Sequence, residues 1–477
     1  MENVKSFKIS ERENMKKNSD RDTIAALCTA PGGALNILRI SGPAALSTGK
    51  TVWRGKQQLG KDKARRMLLG KVCQLPDDPA SGDPCLAVFM PEPESYTGED
   101  TVELHCHGGS YVPKRLLQAV LKAGARSAAP GEFTRRAFLN GKMDLTQAEA
   151  VAELIAANTE SAARLAERQL SGRIGQNIRS FREKLLHLQA EFESRLDFSE
   201  EDLDWESPEK YLVELEDISV AIDGLIRSAA NGMILRDGVR VVIAGLPNAG
   251  KSSLLNALLG FDRAIVTDIP GTTRDTLEEL VSLRDIPVRL TDTAGLRDTA
   301  EDPVEKFGIR RSKDSLLGAS CVFWVMDAST PESAQEAAQY FRKNRPDGKL
   351  IFALWNKIDL PTSPESLPEL SEIPVVRVSA LSGLGLNELL DRFAEQVWQR
   401  GPNGAESTEC EVSARHAELL EQVQTMLKRC REEVRQELWE LAAFSLREAL
   451  TALGSITGET IAPDILDEIF SRFCIGK

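Results

Sequence analysis

Three kinds of feature are missing from this chain of 477 residues, and each absence narrows what it can be. No run of about eighteen apolar residues occurs, so no membrane-spanning helix is expected and a cytoplasmic location follows. The eight cysteines, Cys28, Cys73, Cys85, Cys106, Cys321, Cys410, Cys430 and Cys474, contain no C-x-x-C pair. That scatter argues against both a disulfide framework and a structural zinc site. Excess positive charge is missing too: the formal net charge is −13, so any affinity for nucleic acid must come from a local basic face. Arg164, Arg168, Arg173, Arg179, Arg182, Lys184 and Arg195 could form such a face, although a solvated helix surface fits their spacing equally well. Residues 1–21 are polar and mixed in charge, without the apolar core of a signal peptide, and read as a disordered extension.

The composition, 42% apolar and 27% charged, is that of a globular protein with ample core, and the length suggests about three domains. Gly245-Leu246-Pro247-Asn248-Ala249-Gly250-Lys251-Ser252 fits G-x-x-x-x-G-K-[ST]. The β-branched run Val239–Ala244 precedes it and the helix-like Ser253–Leu259 follows. A strand, a glycine turn and a helix start aim backbone N–H groups at a triphosphate. Asn248, Ala249, Gly250, Lys251, Ser252 and Ser253 are the candidate contacts, with Lys251 on the β and γ phosphates and Ser252 on Mg²⁺. Downstream, Asp292-Thr293-Ala294-Gly295 would place Asp292 near the Mg²⁺ waters and the Gly295 N–H near the γ-phosphate. Between them Gly271-Thr272-Thr273-Arg274-Asp275 could supply the second Mg²⁺ hydroxyl, from Thr273, in a segment that switches on hydrolysis. Asn356-Lys357-Ile358-Asp359 and Ser379-Ala380-Leu381 follow at the spacing of a guanine pocket, where a carboxylate selects guanine over adenine. The nucleotide read from these motifs together is GTP. Where small GTPases carry a water-orienting Gln the chain has Leu296, so another polar group must act. Glu305 is the nearest candidate, with an ordinary exposed surface Glu as the competing reading.

These motifs, together with Asp22-Thr23-Ile24-Ala25, Leu38–Gly42, Tyr96-Thr97-Gly98-Glu99-Asp100, His107-Gly108-Gly109, Pro130–Thr134, Ala137–Lys142 and Phe473-Cys474-Ile475-Gly476-Lys477, resemble the MnmE or TrmE family of tRNA-modification GTPases. The resemblance covers nearly the whole chain. It implies a potassium ion held by Asn248, Thr267, Ile269 and Thr272, with Thr267, Thr272 and Thr273 also near GTP and Glu305 as the catalytic residue. It further implies a reduced folate, 5-formyl- or methylene-tetrahydrofolate, on Arg39, Glu103, Lys142 and Lys477, with Cys474 either lining the one-carbon site or simply packing. The partners it implies are a second copy of the chain, a flavoprotein of the MnmG (GidA) type in a heterotetramer, and tRNA carrying the wobble uridine. A regulatory or ribosome-assembly switch of the Era-like kind shares the central motifs, but lacks the Phe473–Lys477 ending and the Arg39 and Glu103 pair.

The expected architecture is multidomain α/β and α. Residues 22–140 read as an α+β folate-binding and dimerisation domain with one amphipathic helix near Val112–Ala123. Residues 236–399 read as a Ras-like GTPase domain, a mostly parallel sheet with helices on both faces. It is inserted into a discontinuous helical domain of residues 141–235 and 400–477. The apolar stripe Leu419, Val423, Met426, Leu427, Cys430, Val434, Leu438 and Leu441 cannot be hidden by one arm alone, so the two arms should pack together. Asn231-Gly232 and Gly401–Gly404 read as the hinges. His105 and His107 share a strand face, yet no third ligand stands at a recognised metal spacing.

Overall fold

The computed structural model describes residues 22–476 apart from 31, 74–81, 158, 198–204, 262–277, 293–317, 347, 371–372 and 401–411. The chain is multidomain, with two mixed α/β regions and long helical arms. It separates into two compact units, one of residues 1–152, 170–184 and 450–477, the other of 153–169 and 185–449.

In the first unit, seven strands form one sheet: β1 (Ile24–Leu27), β2 (Leu35–Ser41), β3 (Trp53–Arg54), β4 (Leu68–Cys73), β5 (Gly82–Met90), β6 (Thr101–His107) and β7 (Arg126–Ser127). Their order is β3-β4-β5-β6-β2-β1-β7, antiparallel except where β1 meets β7. Alternation decides the faces. On β6, Val102, Leu104 and Cys106 are buried with Ala45, Val52, Leu116 and Val120 of the helices Ala45–Val52 and Val112–Lys122. Glu103 and His105 lie on the other face, in line with Arg39 of β2 and Leu86 of β5. That second face is partly open: Leu69 of β4, directly opposite Leu86, is 75% exposed. The carboxyl-terminal helix Pro463–Ser471 closes the unit, burying Leu466, Phe470 and Phe473 against Phe138, Leu145 and Ala148.

The second unit holds β8 (Val239–Gly245), β9 (Glu278–Leu283), β10 (Ile286–Asp292), β11 (Cys321–Asp327), β12 (Leu350–Asn356) and β13 (Val375–Arg377). The order is β13-β12-β11-β8-β10-β9, parallel except for β9, which pairs with β10 as a hairpin. The central strands are near-continuous apolar runs because both faces are covered. Val241, Ile243, Phe323 and Phe352 face the helices Lys251–Phe261 and Leu386–Arg400. Val242, Trp324 and Ala353 face the helix Pro331–Asn344.

The helical arms meet within this unit. Ser219, on the helix Pro208–Asp237, donates to Gln424 Oε1 at 2.9 Å, and Gln424 Nε2 returns a bond to the Ser219 carbonyl at 3.1 Å. Gln424 lies on the helix Ala414–Arg435, whose stripe Leu420, Val423, Leu427, Cys430 and Val434 is buried. The expected stripe stops there. The chain turns at Glu437 (φ 59°), and Leu438 and Leu441 are exposed because a new helix, Trp439–Thr457, begins with a different face inward. The first expected hinge is also corrected. Asn231-Gly232 lies inside the helix Pro208–Asp237, which ends before Gly238 at φ 73°. One interior glycine costs a helix only about 1 kcal/mol, and the long helix-forming flanks carry it. The second expected hinge, Gly401–Gly404, lies outside the described residues.

Candidate functional sites

The phosphate loop leaves β8 and enters the helix Lys251–Phe261 through three left-handed residues, Gly245 (φ 144°), Asn248 (φ 62°) and Gly250 (φ 95°). Such alternation folds backbone N–H groups into an anion-binding nest at a helix start. Two of these positions exclude a side chain outright. A Cβ on Gly245 would stand 2.1 Å from the Val325 carbonyl, and one on Gly250 would stand 2.2 Å from Asn356 Nδ2. Lys251 Nζ donates to the carbonyls of Gly245 (3.2 Å) and Leu246 (2.9 Å), which stretches its stem along the loop. Ala249 is buried, whereas Asn248, Ser252 and Ser253 are exposed.

Asn356 joins the nest to the base-pocket segments. It is 2% exposed, donates from Nδ2 to the Ala249 carbonyl at 2.8 Å, and accepts from the Ala380 N–H at 3.0 Å. One side chain thus fixes the phosphate loop, the end of β12 and the Ser379-Ala380-Leu381 turn together. Ser379 is buried and accepts from the Ser382 N–H at 3.1 Å. Lys357 adopts a left-handed backbone (φ 69°), and Asp359 is exposed at the mouth of the same turn. Asp292 ends β10 opposite Ile243 of β8. Thr267, Ile269, Thr272, Thr273, Gly295 and Glu305 lie outside the described residues.

In the first unit Arg39 and Glu103 are direct cross-strand neighbours, and their side chains pair at 2.9 Å. The Arg39 guanidinium also lies 5.0 Å from the Tyr96 ring centroid and 5.5 Å from that of Phe133. His105 Nε2 stands 3.5 Å from the second Glu103 oxygen, long for a hydrogen bond, and is buried without a hydrogen-bond partner. His105, then Arg39, hold the Glu103 carboxyl below its ordinary range in spite of burial, which pushes it up. Of the two rings, Tyr96 is half-buried and Phe133 is fully buried. Lys142 Nζ donates to the Pro93 carbonyl at 3.1 Å, and Lys477 lies outside the described residues. The two histidines do not converge on a metal. His107 Nδ1 pairs with Asp83 at 2.9 Å, and no group of three or more potential ligands occurs among the described residues.

Several motif residues prove to be framework, a role that spacing alone did not reveal. Arg136, 2% exposed, donates to Asp22 Oδ1 (2.7 Å), Glu132 Oε1 (3.0 Å) and Glu99 (3.2 Å). Arg126 grips Glu132 at 2.7 and 2.9 Å and Asp22 at 2.7 Å. Burial raises the Glu132 carboxyl, but Arg126, the Ala129 N–H and Arg136 outweigh it and bring it below the ordinary range. In His107-Gly108-Gly109, a Cβ on Gly108 would lie 1.6 Å from the Gly33 carbonyl, so the glycine lets two loops touch. Asp22, Glu99 and Glu132 sat inside the quoted motifs, but Arg126 and Arg136 lie outside them.

Family models match both parts of the chain: the MnmE helical domain over residues 145–474, and the GTP-binding protein TrmE N-terminus over residues 23–142. The tRNA modification GTPase MnmE of Natranaerobius thermophilus is 42% identical over 462 residues, covering 96% of this chain and 99% of that one. The protein of the same name from Aquifex aeolicus is 42% identical over 460 residues, covering 96% and 100%. The chain belongs to the MnmE (TrmE) family.

For this MnmE-family chain the carboxyl-terminal signature has a defined seat. Phe473 packs on Phe470 with ring centroids 5.2 Å apart, and Ile475 bridges to Pro130. A Cβ on Gly476 would lie 2.1 Å from the Leu27 carbonyl, so the tail runs backbone to backbone along the end of β1. Cys474 is exposed beside it. Most of the arginines considered for a basic face are engaged internally. Arg164 pairs with Glu160, Arg179 with Asp144 at 3.0 Å, and Arg182 with Glu459. Arg195 lies 4.1 Å from the Trp439 ring centroid. Of these Arg182 is buried, whereas Arg164 and Arg179 are exposed in spite of their pairs. No helix among the described residues is long and apolar enough to cross a membrane.

Proposed function

We propose that the chain couples GTP hydrolysis to the building of an aminomethyl-type (carboxymethylaminomethyl) group at C5 of the wobble uridine of tRNA, using a one-carbon unit from a reduced folate. The chain is a GTP hydrolase of a tRNA-modifying family. The observation that carries the catalytic half is the preformed nest, tied by Asn356 to the base pocket. Donors already in place stabilise charge in phosphoryl transfer without reorganisation.

In this reading Lys251 meets the β and γ phosphates, Ser252 and Thr273 hold Mg²⁺, and Asp292 and Gly295 sense the γ-phosphate. Asp359, with Ser379 and Ala380, reads guanine. Potassium bound by Asn248, Thr267, Ile269 and Thr272 supplies the positive charge that other GTPases take from an arginine, and Glu305 orients the attacking water. The exposed, left-handed Asn248 in the phosphate loop is consistent with a cation ligand there. The test is GTP turnover in matched potassium and sodium salts. Rates should rise with potassium only, and equal rates would remove the ion from the mechanism.

Folate would lie against Arg39, Glu103 and Lys142, with Lys477 and the exposed Cys474 at the chain end. The half-buried Tyr96 ring, the Glu103 carboxylate and the unsatisfied His105 Nε2 suit a flat heterocycle with an amide edge. The group, when bound, supplies the carbon; the chain's residues orient it and exclude water. Calorimetry with 5-formyl-tetrahydrofolate, on the full chain and on one ending at Phe473, is the test: binding by the first and loss in the second is expected. No binding by either would remove the one-carbon step. The open sheet face around Leu69 and Leu86 supports a homodimer through the amino-terminal domain, and a flavoprotein partner of the MnmG type would complete a cytoplasmic heterotetramer. The domain division we favour is 22–140, 141–235 with 400–477, and an inserted 236–399, supported by the Ser219 and Gln424 bonds between the two arms.

A further inference from the structure

The end of β11 carries an acid that none of the nucleotide motifs contains. Asp327 lies opposite Asn356 in the β11–β12 register, and the Ala328 N–H donates to the Asn356 carbonyl at 2.9 Å. One Asp327 oxygen accepts from the Ser329 N–H at 2.8 Å, which fixes the carboxylate plane. The other accepts from Lys357 Nζ at 2.6 Å. The pair is half-buried, and Lys357 holds a left-handed backbone at φ 69° between Asn356 and Ile358. A lysine side chain otherwise samples many rotamers, and ordering one on ligand binding costs about 0.5–1.5 kcal/mol. Here the backbone, the far end of the side chain and the carboxylate that receives it are all fixed beforehand.

We propose that Asp327 is a positioning residue for guanine-nucleotide binding. By clamping Lys357 it sets the lysine stem as a rigid apolar strip beside the loop that ends in Asp359, so the base meets a prepared surface. Asp327 touches no reacting atom, and the γ-phosphate chemistry lies elsewhere in the site. Its contribution is therefore equal for GTP and GDP, and for ground state and transition state. Uniform binding of that kind lowers KM and leaves kcat alone. The effect does not depend on potassium, on folate or on tRNA.

The test uses the full chain with the Asp327→Asn variant, which keeps an oxygen for the Ser329 N–H and turns an amide NH2, a donor, toward Lys357 in place of the accepting carboxylate oxygen. A charge-assisted bond of this kind corresponds to about tenfold in affinity. GDP and GTP dissociation constants and the KM for GTP should each rise by about that factor, with kcat within twofold and the melting temperature unchanged. Asp327→Glu should recover part of the loss. Adding Lys357→Met to Asp327→Asn should cost little more, because the two residues act as one unit. Unchanged nucleotide affinity would overturn the proposal. So would a joint fall in kcat and melting temperature, which marks a structural role, or additive losses in the double variant.

Discussion

The two sheets use their charged side chains in opposite ways. In the amino-terminal sheet unit, charged residues bind one another: Arg136 and Arg126 gather Asp22, Glu99 and Glu132, and Arg39 binds Glu103. In the GTPase sheet Lys357 pairs with Asp327, but the phosphate loop is held through the backbone. Lys251 donates to two loop carbonyls, and Asn356 bridges a carbonyl and an N–H. A network of opposite charges fixes a framework, because each member is costly to leave unpaired once buried. The bonds that hold the loop lysine go to backbone carbonyls, and an incoming anion can replace them. The difference teaches where to look for function. Charges that satisfy one another in a buried cluster, as around Arg136, mark framework, and a loop lysine resting on backbone carbonyls marks an anion site.

The comparison predicts its largest effect at the hub. Arg136→Met should destabilise the amino-terminal unit by about 3–5 kcal/mol in urea unfolding, since three acids lose their buried partner. A loss below about 1 kcal/mol would show that solvent already satisfies those acids. Asn356→Ala leaves the Ala249 carbonyl and the Ala380 N–H unpaired, and should cost about 2–4 kcal/mol and raise the KM for GTP. An unaltered KM would break the link between that asparagine and the nucleotide. Arg39→Met, which leaves Glu103 with His105 alone, should cost about 1–3 kcal/mol. It should also weaken 5-formyl-tetrahydrofolate, while GTP turnover by the isolated chain stays as it was.

Acid sharpens the contrast further. The folded-state values of Asp22, Glu103 and Glu132 lie below their ordinary ones. Each therefore contributes stability that is complete above its unfolded value, near pH 4, and is lost as pH falls through the lower folded value. The amino-terminal unit should lose this stabilisation below about pH 4, and substituting Arg136 should flatten the profile. The smallest effect concerns thiols. Burial pushes Cys85 up to about 12 and Cys106 up to about 11, so both should resist a thiol reagent at pH 8 while exposed Cys474 reacts. Rapid labelling of Cys85 would mean that the β5–β6 edge opens.

Much of this was legible beforehand, for local reasons. The run Val239–Ala244 before a glycine turn could be little else than a buried strand, and it spans Val239–Gly245. The amphipathic segment at Val112 is a helix to Lys122. The misses were places where a distant neighbour overrode a local signal. Asn231-Gly232 looked like a break, but a long helix runs through it. Leu438 and Leu441 continued an apolar period, but the chain turns before them.

By itself the sequence determined the phosphate loop, the guanine motifs and the alternating strands, because these depend on residues close together in the chain. Backbone conformation and side-chain period are local properties. Only the tertiary structure decided which charges meet across wide gaps in sequence: Arg136 with Asp22, Lys357 with Asp327, Gln424 with Ser219. Partner choice among many equivalent acids and bases is settled by packing, which brings one pair within reach and dries its surroundings, and no spacing rule carries that information.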